Sequence, residues 1–272
     1  MSEIPIFVST CDNYHHVLRV FCFLFNKYWG SHQKVTIIGY KRPEFELDDN
    51  FQFISIGEDR GPMHWSDDMY CFFKGVDDDW FIYTMEDNFL VDTVNLENFK
   101  KIKTYMVDNV GRIDLTDGFD DHRISHHDYH GPGPYSSDLQ LIERDQAAPY
   151  RGAFTMSIWC KKYLLNMLNA TMLNPWQVEA YASSISKYDG VTILGTKASQ
   201  AIAPRNEGVS TKEGFKSLTT FRLGRVKPEY IQEMAKLKIL TSDIQITGNA
   251  DWLEDVRQTL IESRTRITAR VG

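Results

Sequence analysis

Short apolar segments alternate with segments of helical spacing through the first third of the chain, and this alternation restricts the possible folds more than any other feature. The apolar segments have the length of buried strands. They span residues 4–10, 34–40, 51–56 and 79–83. Residues 14–28 and 66–75 repeat apolar side chains every three or four positions, as amphipathic helices do. This order predicts an α/β fold with a mostly parallel central sheet that helices flank on both faces.

The remainder of the chain predicts further helices and strands around one long irregular stretch. Predicted helices span 96–107, 161–169, 175–186, 229–237 and 250–264, and predicted strands span 111–115, 153–159 and 191–194. Asn174 before Pro175 is a typical helix start. Residues 116–149 are rich in Gly, Pro, Asp, His and Tyr, and irregular stretches of this length are usually functional or mobile. We expect one domain over residues 1–215 and a mostly helical C-terminal extension over residues 216–272.

Composition and motif content exclude several classes of protein. The 272 residues are 42% hydrophobic, which suffices for a sizeable core. A net charge of -7 argues against a general nucleic-acid binder, although lysine and arginine outnumber aspartate and glutamate from Arg205 onward. The sequence lacks G-x-G-x-x-G after the first strand and G-x-x-x-x-G-K-S/T, which disfavours dinucleotide oxidoreductases and P-loop NTPases. The G-x-S-x-G nucleophile elbow is absent as well.

Targeting signals and cysteine spacing favour a cytoplasmic protein. Met1–Pro5 has no basic region before an apolar run, so we expect no signal peptide. The most apolar run, Val17–Phe25, contains Arg19 and is far shorter than the roughly 20 residues that span a bilayer. The four cysteines lack zinc-finger spacing and are expected to be reduced thiols. We therefore expect a soluble protein without a membrane span. The sequence does not indicate its oligomeric state.

Polar residues follow three of the predicted strands, at Thr10–Asp12, Gly57–Arg60 and Glu86–Asn88. In parallel sheets, ligands bind outside the carboxyl ends of the strands. Glu86, Asp87 and Asn88 offer only oxygen ligands, which suit Mg2+ or Mn2+ bridging a carboxylate to substrate phosphates. Such an ion neutralises a departing diphosphate. The alternative for Glu86–Asn88 is a solvated turn that ends the strand.

A family resemblance rests on five segments in a consistent order. Residues 80–91 resemble the strand that leads into the D-x-D motif of GT-A glycosyltransferases. They are closer to the variant of bacterial and viral surface-glycan transferases, in which Glu-Asp precedes Tyr, Phe or Asn and then Phe-Leu. The other matching segments are 6–12, 57–66, 151–159 and 174–179. The resemblance covers roughly residues 4–215 and implies a GT-A-like fold, but Glu-Asp-Asn departs from D-x-D and leaves metal dependence open.

The resemblance also implies a site for a nucleoside-diphosphate sugar, with UDP-sugars favoured. Thr10, Asp12 and Tyr14 would contact the base, Asp59 and Arg60 the ribose and diphosphate, and Trp65 would floor the pocket. Glu86 and Asp87 would complete the donor site, and Asp87 with Asn88 would bind Mn2+ or Mg2+. The alternatives are a polar loop with a helix cap at Asp12 or Asn13, and a core position for Trp65.

Glu179 is the candidate catalytic residue. In inverting relatives a carboxylate on this side of the site deprotonates the acceptor hydroxyl, as a general base does. The alternative is a first-turn glutamate that stabilises its own helix through the helix dipole. Trp176, His122 and His126 are expected on the acceptor side. His127 and His130 complete the histidine cluster, in which the absence of cysteine disfavours structural zinc.

The sequence thus predicts a glycosyltransferase, expected to be inverting, that moves a sugar to the hydroxyl of a glycan or lipid-linked saccharide. The alternative acceptor is a hydroxymethylated pyrimidine of phage DNA, which would place the protein in a host cytoplasm. That version would use Arg257, Arg264, Arg266 and Arg270 against phosphates and would flip the base. A third possibility is an inactive module that only binds the sugar nucleotide. The sugar and the donor base stay open.

Overall fold

The computed structural model describes residues 4–131, 139–207, 220–222, 225–240, 245–248 and 266–269. The strands are β1 (Ile6–Ser9), β2 (Val35–Gly39), β3 (Phe51–Ser55), β4 (Trp80–Met85), β5 (Asn88–Leu90), β6 (Val110–Asp114), β7 (His126–Asp128), β8 (Leu141–Arg144), β9 (Ser157–Cys160), β10 (Thr192–Thr196), β11 (Arg205–Glu207), β12 (Thr220–Arg222), β13 (Gln245–Gly248) and β14 (Arg266–Ala269). The α-helices are α1 (His15–Tyr28), α2 (Trp65–Lys74), α3 (Leu96–Ile102), α4 (Lys161–Leu168), α5 (Pro175–Ile185) and α6 (Pro228–Lys236).

Nine strands form one central sheet in the order β3-β2-β1-β4-β9-β6-β10-β8-β7. β1 runs parallel to both of its neighbours, β2 and β4, and β3 runs parallel to β2. β9 is antiparallel to both β4 and β6, and β8 is antiparallel to both β10 and β7. Because β10 runs parallel to β6, every strand of this sheet except β8 and β9 points the same way. The predicted mostly parallel α/β sheet is confirmed.

Side chains of the central strands alternate between two hydrophobic cores. Ile6 and Val8 of β1 pack in one core with the apolar face of α1. Phe7, between them in sequence, packs in a second core with residues of α2, α4 and α5. Successive side chains of a strand point to opposite faces of the sheet, so the two cores cover its two faces. This double burial explains why the strands are apolar at consecutive positions.

The stretch 116–149 contains more order than its composition predicts. β7 and β8 lie within it and form one end of the central sheet. β8 pairs with β10 through Leu141, Ile142 and Glu143. Residues 132–138, which include the Gly-Pro repeats, are outside the described residues. The prediction of a wholly irregular stretch is therefore wrong for 126–128 and 141–144.

The C-terminal segment combines a helix with a small parallel sheet. α6 packs on α1, because Ile231 and Met234 enter the first core and Lys27 forms an ion pair with Glu233 at 2.8 Å. β12, β13 and β14 form a three-stranded parallel sheet, which the sequence pattern does not indicate. None of the helices within the described ranges has the length and hydrophobicity needed to cross a lipid bilayer.

The arginines of the DNA alternative fall in this segment. The predicted helix 250–264, with Arg257 and Arg264, lies outside the described residues, as does Arg270. Arg266 begins β14, for which only the backbone is described. Their placement against a polyanion stays a prediction.

Candidate active site

A cleft of about 620 Å³ opens at the carboxyl edge of the parallel strands. The ends of β1 and β4 form one wall, with Ser9–Cys11 and Met85–Asn88. Residues of the loop 150–155 and of the start of α5 line the cleft as well. A volume of this size is typical of small-molecule sites. The predicted edge of the sheet therefore carries a cleft of the size expected for a ligand site.

Glu86 is a buried carboxyl at the end of β4. Its side chain is only 4% exposed, and no described residue hydrogen-bonds its Oε2 atom. Burial, and then the neighbouring Asp87, raise the pKa of Glu86 well above the ordinary carboxyl range, and a hydrogen bond from the Thr10 side chain opposes this shift. A buried carboxyl beside a second carboxyl favours its neutral form. Glu86 is thus better suited to shaping the turn than to binding a cation.

Asp87 is the partly exposed residue of the acidic turn, and Asn88 is buried beside it. Asn88 donates its Nδ2 to Asp87 Oδ1 at 3.0 Å, while its buried Oδ1 has no partner among the described residues. In the described ranges, no three His, Cys, Asp or Glu side chains are grouped to hold a metal ion. Mg2+ commonly takes one or two protein oxygens and completes its shell with substrate phosphates and water. Asp87 and Asn88 fit an ion of that kind, and do not by themselves form a complete metal site.

Glu179 faces the acidic turn from α5. The predicted helix start is confirmed, because Asn174 and Gln177 form a reciprocal capping box around Pro175. Glu179 lies in the second turn of α5, so the dipole of the first turn does not explain its position. Its Oε1 accepts a hydrogen bond of 2.7 Å from the backbone N–H of Phe154. Its Oε2 accepts none from the described residues, and Glu179 lines the cleft.

The pKa of Glu179 is set by its burial and by the charged groups around it in the cleft. Burial raises this pKa above the ordinary value of 4.5 and is the largest effect. The hydrogen bond from Phe154 and the charges of Arg112 and Arg205 oppose it, whereas Asp87 adds to it. A carboxylate with a raised pKa is a stronger proton acceptor at neutral pH, which suits a general base.

Arg112 organises the loop that carries Phe154, and the sequence analysis did not select it. Its guanidinium is fully buried in β6 and pairs with Asp114. It also donates to Ser157 Oγ at 3.0 Å and to the carbonyls of Tyr150 and Arg151 at 3.3 and 3.2 Å. Buried charges require such partners. The available sequence signal was an arginine inside a predicted strand, two residues before Asp114.

Arg144 and Arg205 line the cleft and were also missed, as was Arg123. β11 pairs antiparallel with β5, and this pairing places Arg205 opposite Leu90 and in the lining of the cleft. Arg144 stacks on the Phe119 ring at 4.1 Å and donates to the Phe119 carbonyl at 2.7 Å. Burial and the nearby Arg112 lower the pKa of Arg144 to about 10. Nothing in the local sequence marks either residue, because sheet pairing and loop packing bring them to the cleft.

Nine of the residues predicted for the site line the cleft: Thr10, Tyr14, Asp59, Trp65, Glu86, Asp87, Asn88, Trp176 and Glu179. Asp59 accepts a hydrogen bond from the Gly61 N–H at 2.8 Å, which shapes its loop. Trp65 packs edge-on against Phe154, with ring centroids 5.0 Å apart. Burial, and then the charge of Glu86, raise the pKa of Tyr14, which is consistent with a phenol close to the acidic turn.

The other four predicted residues do not line this cleft. Asp12 accepts a hydrogen bond from the Lys41 N–H at 3.0 Å, and Arg60 pairs with Asp68 at the surface. The His122 side chain is almost completely exposed. His126 lies beside Asp120, with 3.2 Å between Nε2 and Oδ1. Asp12 accepts from the loop after β2 and Arg60 pairs with a residue of α2, and the local sequence of Asp12 and Arg60 does not encode these partners.

Three solved structures that match this chain do so at low sequence identity and low TM-score. No protein-family model matches the chain, and no curated protein is significantly similar to it. The bifunctional IspDF of Campylobacter jejuni matches over 71% of this chain at 12% identity, with a TM-score of 0.37, and this chain spans 49% of that protein. An active-site mutant of LgtC matches over 70% of this chain and 72% of its own length, at 13% identity and a TM-score of 0.37. A cytidylyltransferase of Leptospira borgpetersenii matches over 88% of this chain and 97% of its own length, at 10% identity and a TM-score of 0.42.

Proposed function

We propose that this protein is a glycosyltransferase that moves a sugar from a nucleoside-diphosphate donor to an acceptor hydroxyl. The observation that carries the proposal is the placement of two carboxyl groups in one cleft. Asp87 follows a parallel strand, and Glu179 of α5 accepts the Phe154 N–H with Oε1 and has no described partner for Oε2. Asp87 is suited to binding the cation of a leaving diphosphate, and Glu179 is suited to an incoming nucleophile.

The donor would lie along the ends of β1 and β4. Thr10 and Tyr14 would contact the base, and UDP is the favoured nucleotide. Asp59 and Trp65 line the same wall and would contact the ribose. Arg205, which lines the same cleft, supplies a cation that matches phosphate oxygens bidentately. It takes over the role that the sequence analysis gave to Arg60, which is engaged by Asp68 away from the cleft.

Asp87 and Asn88 would hold the Mn2+ or Mg2+ ion of the donor complex. Such an ion, when bound, neutralises the developing charge of the diphosphate. Glu179 would accept the proton of the acceptor hydroxyl through Oε2. The acceptor oxygen then bonds to the anomeric carbon, the bond from that carbon to the diphosphate oxygen breaks, and its electron pair leaves with the diphosphate. A single displacement of this kind inverts the anomeric configuration.

The direct test incubates the protein with a panel of nucleoside-diphosphate sugars, with and without Mn2+, and measures nucleoside diphosphate release. We expect one donor class to be hydrolysed slowly and that class to raise the melting temperature. Asp87→Asn should lower both effects, and Glu97→Gln, an isosteric change on an exposed carboxylate of α3, should leave both unchanged. Absence of turnover and of thermal stabilisation with every donor would refute the proposal.

A further inference from the structure

Two exposed aromatic side chains stand at the rim of the cleft, Trp176 with 51% and Tyr150 with 55% of its surface exposed. Tryptophan and tyrosine are large amphipathic side chains that favour binding surfaces. Most of the other aromatic residues that line this cleft, among them Trp65 and Phe154, are buried in the second core. The exposed pair is therefore a surface feature and contributes little to the core.

Trp176 and Tyr150 lie on either side of Glu179 along α5. Trp176, Glu179 and Ser183 follow one another at spacings of three and four residues, which puts them on one face of the helix. The Tyr150 N–H donates to Ser183 Oγ at 3.0 Å, so Tyr150 is fixed at that end of the face. Trp176 and Ser183 are separated by seven residues, or about 10 Å along the axis. Glu179 lies between these ends.

The backbone of Tyr150 has an unfavourable conformation that neighbouring contacts hold in place. Its φ of 61° lies in the left-handed region, which is unfavourable for a residue other than glycine. Besides the Ser183 contact, the Tyr150 carbonyl accepts a hydrogen bond from Arg112 at 3.3 Å. The loop is also pressed onto α5 at Gly152, where a Cβ atom would come within 2.5 Å of Ala182 Cβ. Strained residues that several contacts enforce cluster at ligand sites.

The chemistry of this rim fits a neutral saccharide. A sugar ring offers an apolar face to an aromatic side chain and hydroxyls to a carboxylate. DNA would instead require unpaired cations along its phosphates. Two of the four arginines that line the cleft, Arg112 and Arg123, are paired with Asp114 and Asp121, and the chain carries a net charge of -7.

We infer that a neutral saccharide acceptor binds across Trp176 and Tyr150 and presents a hydroxyl to Oε2 of Glu179. This inference rests on the proposed glycosyl transfer and specifies its acceptor. It adds Tyr150 to the acceptor side and leaves His122 and His126 outside it. The strained loop would then serve to hold the Tyr150 ring at the rim.

The test compares Trp176→Ala and Tyr150→Gly with Tyr188→Gly. Tyr188 is a matched control, because it is 77% exposed, has a φ of 57° and does not line the cleft. Glycine adopts positive φ without strain, so neither tyrosine variant should unfold for that reason. Each variant is assayed with its best donor and with lactose, maltotriose and hydroxymethylated duplex DNA as acceptors, and the KM for the acceptor and for the donor are measured separately.

We expect the KM for a saccharide acceptor to rise about tenfold in Trp176→Ala and in Tyr150→Gly, with no matching rise for the donor, and Tyr188→Gly to behave as wild type. Equal saccharide KM values in all three variants overturn the inference while the proposed function stands. Transfer by the wild type to hydroxymethylated DNA and to neither saccharide overturns it in favour of a DNA acceptor. Absence of any donor turnover by the wild type refutes the proposed function itself.

Discussion

Replacement of Glu179 by glutamine removes the proposed base and preserves the shape of the site. A general base typically accelerates a reaction by about 10²–10⁴-fold. Because each tenfold change equals about 1.4 kcal/mol, the barrier should rise by roughly 3–5 kcal/mol. The Gln side chain can still accept the Phe154 N–H, whose hydrogen bond to Glu179 measures 2.7 Å. We therefore expect the free energy of unfolding to change by less than about 1 kcal/mol.

The pH dependence provides a second signature of the same residue. Only the deprotonated carboxylate accepts a proton, so activity should fall as the pH drops through the pKa of Glu179. Burial raises that pKa above 4.5, so the acidic limb of the profile should lie above the range of an exposed glutamate. Glu179→Gln has no proton to release and should lose this limb.

The assay measures kcat/KM for transfer against pH, in wild type and in Glu179→Gln, with UDP affinity and thermal unfolding measured on the same samples. Glu97→Gln, a neutralised carboxylate outside the cleft, is the control and should match wild type. If Glu179→Gln keeps more than a tenth of the wild-type kcat/KM, or keeps the acidic limb, Glu179 is not the base.

Three further predictions concern the acidic turn and the loop that faces it. Glu86→Gln should raise the melting temperature at pH 7.5 and leave it unchanged at pH 4. The pKa of Glu86 is higher in the folded protein than in the unfolded chain, so the wild type loses stability as the pH rises from the unfolded-state pKa toward the folded-state pKa. Glutamine does not titrate, so the variant does not lose stability in this way. Asp87→Asn, or removal of divalent cations with EDTA, should weaken binding of UDP and lower transfer at least tenfold, as calorimetry and turnover would show. Gly152→Ala should destabilise the fold by about 1–3 kcal/mol in chemical denaturation, because its Cβ would meet Ala182 at 2.5 Å.

Each of these three predictions has an opposite outcome that contradicts it. Equal pH dependence of the melting temperature in wild type and Glu86→Gln would mean that Glu86 is not a buried, neutral carboxyl. UDP affinity that survives both Asp87→Asn and EDTA would remove the acidic turn from the diphosphate site. Gly152→Ala with wild-type stability would mean that the loop is not pressed against α5, and Gly118→Ala, where a Cβ has no contact shorter than 3.4 Å, is its control.

The fold was predictable from the sequence where a strand is buried on both of its faces. β1 was predictable because Ile6, Phe7 and Val8 are apolar in succession, and only burial on both faces explains that pattern. The capped start of α5 was predictable because Asn174 and Pro175 act locally. The carboxyl edge followed from strand direction alone.

Features that depend on long-range pairing were not predictable. The antiparallel direction of β9 is set by its neighbours β4 and β6, and no residue of Ser157–Cys160 encodes it. Arg205 enters the cleft because β11 pairs with β5, and the sequence separates these strands by more than a hundred residues. Arg60 and Asp12 were placed at the site by strand position, but Asp68 and the Lys41 N–H draw them away.

A crystal structure of the protein soaked with UDP and Mn2+ tests the central claim most directly. The account predicts nucleotide density in the cleft, with the base near Thr10 and Tyr14, and an anomalous manganese peak between the diphosphate and Asp87. It also predicts that Oε2 of Glu179 faces the position beyond the β-phosphate where the sugar would lie. Nucleotide bound elsewhere, or a diphosphate that points away from Glu179 and Asp87, would contradict the proposed transfer.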